Sequence, residues 1–141
     1  MKYLGIDLGN QRVGLAISDQ TNTIASPYKV IPFTTLFQEL TMIIQKETIT
    51  DIVIGLPKNM NNTLGLSAQK AQTIAEKIAE QYAVNVHLQD ERRSTIAASE
   101  YLQRSNMSRK NRRQKIDATA AAIILQTFLD RRDKNGRKND I

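Results

Sequence analysis

An apolar run, Leu4-Gly5-Ile6-Asp7-Leu8, is interrupted only by an aspartate, turns through Gly9-Asn10, and leads into a second apolar run, Val13-Gly14-Leu15-Ala16-Ile17. Two strand-length runs joined by a short glycine-containing turn predict a hairpin that carries Asp7 on its first strand. A carboxylate inside a sheet is costly unless a cation or hydrogen-bond donors accompany it. Further acids, Asp90-Glu91 and Asp117, fall at other expected element boundaries. Acids brought from a strand, a strand end and a helix are the ligand set an oxygen-coordinated divalent metal needs.

The rest of the chain narrows the chemistry. At 141 residues it has the length of a single domain that can build a core without staples, and its composition holds no cysteine. Neither a disulfide framework nor a thiolate zinc site is available, and one histidine, His87, makes a histidine-rich metal site or a Ser-His-Asp triad a poor expectation. No secretory leader and no membrane-length apolar run is apparent, so a cytoplasmic location is expected. Charge is uneven. Residues 1–103 carry 9 Lys+Arg against 10 Asp+Glu, whereas residues 104–141 carry 11 against 4. A positive end on a near-neutral body suits a polyanion. The expected organisation is one domain over residues 1–132 with a basic, disordered tail over 133–141.

The coarse pattern gives three strands in succession, the third from Thr23 to Ile31. There follow a helix over Thr34–Lys46, a β-branched strand over Asp51–Pro57, an Asn-rich loop over Lys58–Thr63, a helix over Ser67–Ala83 and a strand up to Asp90. A helix from the Ser94 cap to about Arg104, a polar loop over Ser105–Asn111 and a last helix from near Arg113 to Leu129 complete it. The implied fold class is α/β: a mixed five-stranded sheet, an antiparallel three-strand meander extended by parallel strands through right-handed crossovers, flanked by helices.

Each acid also has a plainer role. Asp7 could accept turn amides, and Glu91 could pair with Arg92 or Arg93 at the surface. Asp117 could favour a helix amino end, which contributes roughly 0.3–1 kcal/mol. Asp117 nevertheless aligns with Ala120, Ala121, Ile124 and Phe128 on the stripe that should face the sheet, which a dipole role does not explain. Clustered acids demand a cation, and hard oxygen ligands favour Mg²⁺ or Mn²⁺. Two such ions can activate water and stabilise the leaving oxygen of a phosphodiester. His87, in an alternating strand, is expected to be structural or solvent-facing. The tyrosines and phenylalanines look too scattered for a stacking platform. Arg109, Lys110, Arg112, Arg113 and Lys115, immediately before Asp117, are expected to grip a phosphate backbone, with Lys58, Asn59 and Arg92 as further contacts.

Four blocks together resemble the YqgF family, also called RuvX: Gly5-Ile6-Asp7-Leu8-Gly9 with Val13-Gly14-Leu15-Ala16; Ile54-Gly55-Leu56-Pro57-Lys58-Asn59-Met60; Asp90-Glu91-Arg92 with Ser94-Thr95; and Lys115-Ile116-Asp117-Ala118 with Ala121-Ala122-Ile123-Ile124-Leu125. The resemblance runs through nearly the whole chain. It implies a ribonuclease-H-like fold, a nuclease acting in maturation of the 5′ end of pre-16S rRNA or on Holliday junctions, and Asp7, Glu91 and Asp117 as catalytic metal ligands. It departs from the family at Asn61-Asn62, where Asp-Gly is frequent, and at Arg93, where an apolar residue is common. The implied partners are structured RNA or branched DNA and ribosomal precursor particles, with no membrane and no nucleotide cofactor. Two other readings are an actin-like or sugar-kinase ATPase, whose phosphate loop also begins on a first hairpin, and a non-catalytic nucleic-acid-binding module.

Overall fold

A computed structural model describes residues 1–57, 65–90 and 118–132. The expected strands form as β1 (Lys2–Leu8), β2 (Arg12–Ser18), β3 (Ala25–Pro32), β4 (Ile49–Leu56) and β5 (Asn85–Asp90). Helix α1 (Leu36–Glu47), entered through a short 3₁₀ turn at Phe33–Thr35, joins β3 to β4, and α2 (Leu66–Gln81) precedes β5. Helix α3 occupies residues 118–132. The helix expected at 94–104, the loop at 105–111 and the opening of the last helix lie outside the described residues.

The sheet order is β3-β2-β1-β4-β5. β1 pairs antiparallel with β2 and parallel with β4; β2–β3 is antiparallel and β4–β5 parallel. Meander and crossover halves therefore meet on β1, the strand that carries Asp7. Leu4 and Ile6 of β1 join Val13, Leu15, Ile52 and Ile54 in one core under α1 and α2. The opposite face, with Ala16 and Val53, packs against Ala121, Ala122, Ile124, Leu125 and Leu129 of α3. Helix α1 buries Leu36, Leu40 and Ile43 at helical spacing, and ends where Thr48 adopts a left-handed conformation (φ 54°) and donates its N–H to Ile44. The β2–β3 turn is held by Asp19, which accepts the N–H groups of Thr23 at 2.9 Å and Ile24 at 3.2 Å and the hydroxyl of Thr21 at 2.8 Å. The Thr23 N–H, with the other two donors, holds the Asp19 carboxyl below its ordinary range.

Helix α3 approaches the sheet unusually closely. A Cβ at Gly5 would lie 2.8 Å from the Cβ of Leu125 and 2.9 Å from the carbonyl oxygen of Ala121. Only a glycine at that position, facing Ala121 and Leu125, leaves room for the helix backbone. Gln126 pins the same helix to the far side of the meander: its Oε1 accepts the Ala25 N–H at 2.8 Å and its Nε2 donates to the Thr23 carbonyl at 2.9 Å.

A candidate active edge at the end of the central strands

Side chains alternate across a strand, so Tyr3, Gly5 and Asp7 share one face of β1. That face belongs to α3: Gly5 abuts Ala121 and Leu125, and the Tyr3 ring lies 6.0 Å from Phe128. The Tyr3 hydroxyl accepts a hydrogen bond from Arg132 at 2.7 Å. Contacts thus pass from Arg132 and Phe128 at Tyr3 to Leu125 and Ala121 at Gly5. Helix α3 runs antiparallel to β1, with its amino end directed toward the Asp7 end of the strand.

Asp7 is half-buried and lies beside Gly14 in the β1–β2 register. One step past the Ile6–Ile54 pair of the β1–β4 register, it comes level with Gly55, which carries no side chain. Gly55 in turn pairs with Gln89 of β5. Two strand spacings, about 9.5 Å, separate the backbones of β1 and β5, with a bare glycine between them at this level. Asp90 ends β5 opposite Leu56, and Leu56 packs into the α1–α2 core, so Asp90 takes the face opposite to Asp7. Among the described residues no three metal-ligating side chains come together. Of the eleven site residues expected from sequence, Asp7 alone is among the described ones. Glu91, Asp117, Lys58, Asn59, Arg92, Arg109, Lys110, Arg112, Arg113 and Lys115 lie outside them.

The turn that follows Asp7 is tightly built. Gly9 donates its N–H to the Arg12 carbonyl at 2.9 Å, and Phe33 donates to the Gln11 carbonyl at 2.9 Å. A Cβ at Gly9 would meet the Arg12 oxygen at 2.6 Å, which excludes any larger residue there without backbone movement. Gly9, Asn10, Gln11 and Arg12 line a pocket of about 290 Å³.

A polar cluster that sequence reasoning missed occupies the other end of the same face. Asp51, nearly buried, accepts from Thr50 Oγ1 at 2.8 Å and Asn85 Nδ2 at 3.3 Å, and pairs with His87 Nε2 at 2.9 Å. The His87 ring stacks beside Tyr3 and lies 4.7 Å from Phe128. Two of the rings that look scattered along the chain, Tyr3 and Phe128, therefore meet here, with His87 packed against both. Asp51→Ala should remove the carboxylate that Thr50, Asn85 and His87 share and lower stability by about 1–2 kcal/mol. Urea unfolding measures that loss, while cleavage per folded molecule should hold, because Asp51 registers with Tyr3 and not with Asp7.

A sequence profile of RuvX, described as Holliday junction resolvase, matches residues 1–131. The chain belongs to the RuvX family. RuvX relatives include a protein of Maridesulfovibrio salexigens, 42% identical over 134 residues, which cover 93% of this chain and 99% of that one. Another, from Geobacillus kaustophilus, is 42% identical over 135 residues, covering 92% and 98%. Both are named "Putative pre-16S rRNA nuclease". The family is one of nucleases, hydrolases acting on phosphodiester bonds. The fold agrees. Thermus thermophilus RuvC, solved in complex with a Holliday junction substrate, superposes with a TM-score of 0.57 at 16% identity, covering 94% of this chain and 96% of that one. The Fowlpox virus Holliday junction resolvase does so with 0.55 at 15% identity, covering 92% and 99%. The mixed sheet of this RuvX chain is thus ribonuclease-H-like. No helix among the described residues is long and apolar enough to cross a membrane.

Proposed function

We propose that this chain cuts the 5′ region of the 16S ribosomal RNA precursor, in the cytoplasm, using a divalent cation held by Asp7, Glu91 and Asp117. The observation that carries the reading is the antiparallel course of α3 over β1. It directs the amino end of α3 toward Asp7, and Asp117 is joined covalently to Ala118, the first described residue of that helix. Glu91 is joined to Asp90 at the end of β5. Gly55, between β1 and β5, puts no side chain of its own on the Asp7 face.

The donor set is three carboxylates with no sulfur and no imidazole, which fits Mg²⁺ or Mn²⁺. Such an ion, when bound, supplies a water of lowered pKa and offsets charge on the leaving oxygen. The chain itself contributes rigidity. Asp7 lies on the central strand, paired on both sides, behind a turn whose backbone is bonded internally. Half-burial limits the water that competes for its carboxylate.

The relatives' names favour RNA as the substrate, and the experiment compares three substrates with Mg²⁺ and with EDTA: precursor RNA carrying the 5′ extension, unrelated single-stranded RNA, and a four-way DNA junction. Cleavage of the precursor in Mg²⁺, abolished by EDTA and exceeding that of the other two, is expected. Preferential cutting of the junction would overturn the RNA assignment. No cutting of any substrate would leave only a binding module.

In the same reading the basic segment holds backbone phosphates, assisted by Lys58, Asn59 and Arg92. Replacing Arg112 and Arg113 together with alanine should weaken binding to all sequences alike and reduce the salt slope by up to about two units. Titrations across a salt series check this; an unchanged slope would make the segment a solvated flank.

A further inference from the structure

Lys70 does something its helix does not require. It lies on the opening turns of α2, yet its Nζ donates to the Gly9 carbonyl at 3.2 Å, across to the hairpin turn behind Asp7. The same ammonium stands 4.1 Å from the centre of the Phe33 ring. A carbonyl and a ring face hold the cation in place but do not neutralise it, and among the described residues it has no carboxylate partner. An ammonium has three donors, and one of them is spent.

Beside this fixed charge is the pocket lined by Gly9, Asn10, Gln11 and Arg12. Gly9 and Gln11 use their backbone groups to close the turn and tie it to Phe33. The N–H groups of Asn10 and Gln11 make no hydrogen bond among the described residues, and Arg12 begins β2 at the same edge. An anchored ammonium with unspent donors, beside a turn with two open backbone amides, forms a site for an oxyanion. The turn follows Asp7 directly in sequence, at the same end of β1.

We infer that Lys70 and the Gly9–Arg12 turn form a phosphate subsite that grips the nucleic-acid backbone beside the bond to be cut. The inference rests on the nuclease reading above and adds contacts on the α2 side of the edge, away from the basic segment before Asp117. A backbone phosphate held there contributes to affinity without reading sequence. Held between the subsite and Asp7, the strand is constrained in the direction along which it crosses the edge.

Lys70→Met tests this, because it keeps the apolar stem against Phe33 and removes only the charge; Lys70→Arg serves as the charge-restoring control. The measurement is binding of labelled precursor RNA across a salt series in Ca²⁺, paired with cleavage in Mg²⁺ and thermal unfolding. Expected for Lys70→Met are binding weakened about threefold to tenfold for every sequence tested and a salt slope reduced by about one unit. Lys70→Arg should recover both, and the unfolding midpoint should stay within about 2 °C of the wild type, as for a surface change. Unchanged affinity and slope in Lys70→Met, with wild-type binding and cleavage intact, would overturn the subsite alone. An unchanged slope with slowed turnover would also overturn it, showing that Lys70 only braces the hairpin turn. A wild-type chain with no affinity for nucleic acid would overturn the nuclease reading and this inference together.

Discussion

Asp7→Asn should abolish cleavage while the chain keeps its fold and its grip on substrate. Removing a partner that merely orients a metal ligand typically costs 10–100-fold, so loss of a ligand charge should cost more than about 100-fold. Stability should scarcely change, because asparagine keeps the shape and one acceptor of the half-buried aspartate, and the core on both faces of β1 is untouched. Affinity for RNA measured without cleavage should hold or rise, since one negative charge facing the phosphates is gone. Single-turnover cleavage and a salt-matched binding titration separate these effects. Full activity in Asp7→Asn would remove the metal site from the account.

The largest structural effect is expected at Gly5. Gly5→Val would place branched carbon where even a Cβ lies 2.8 Å from Leu125 and 2.9 Å from the Ala121 oxygen. The second of these neighbours is helix backbone and cannot rotate away, so α3 must lift from the sheet. Overpacking of this kind costs about 3 kcal/mol, which for a chain of this length lowers the unfolding midpoint by about 10 °C. Cleavage should fall further than the folded fraction does, because the displaced helix is the one that leads back to Asp117. Calorimetry together with activity per folded molecule measures both. A Gly5→Val protein as stable as the wild type would mean that α3 does not pack on β1 at this distance.

How far the sequence could be read depended on whether a feature is local. The hairpin of β1 and β2 was legible because its apolar runs and its turn lie within eighteen residues, and β4 because a β-branched run is bounded by Gly55 and Pro57. The burial of α3 was legible from alanines repeated on one stripe. The Asp51–His87 pair was not. It depends on the register of β4 against β5, which aligns Val53 with His87 and brings residues 36 apart within 2.9 Å. The meeting of Tyr3 with Phe128 likewise requires α3 to return across the first strand. Lys70 reads in sequence as one more solvated helical lysine, and only the approach of α2 to the hairpin turn gives it Gly9 and Phe33 as neighbours. Asp7 was legible for the opposite reason, since a carboxylate in an apolar strand is costly wherever the strand goes. The grouping of Asp7 with Glu91 and Asp117 rests on the family resemblance and on the direction of α3.

The central claim is that these three carboxylates hold one divalent centre. Anomalous diffraction from crystals soaked in Mn²⁺ tests it most directly. The account predicts a peak bonded to a carboxylate oxygen of Asp7, at the roughly 2.1 Å typical of a small hard cation, with oxygens of Glu91 and Asp117 in the same coordination shell. A map with no peak at Asp7, or with a peak that Glu91 and Asp117 do not reach, would contradict it.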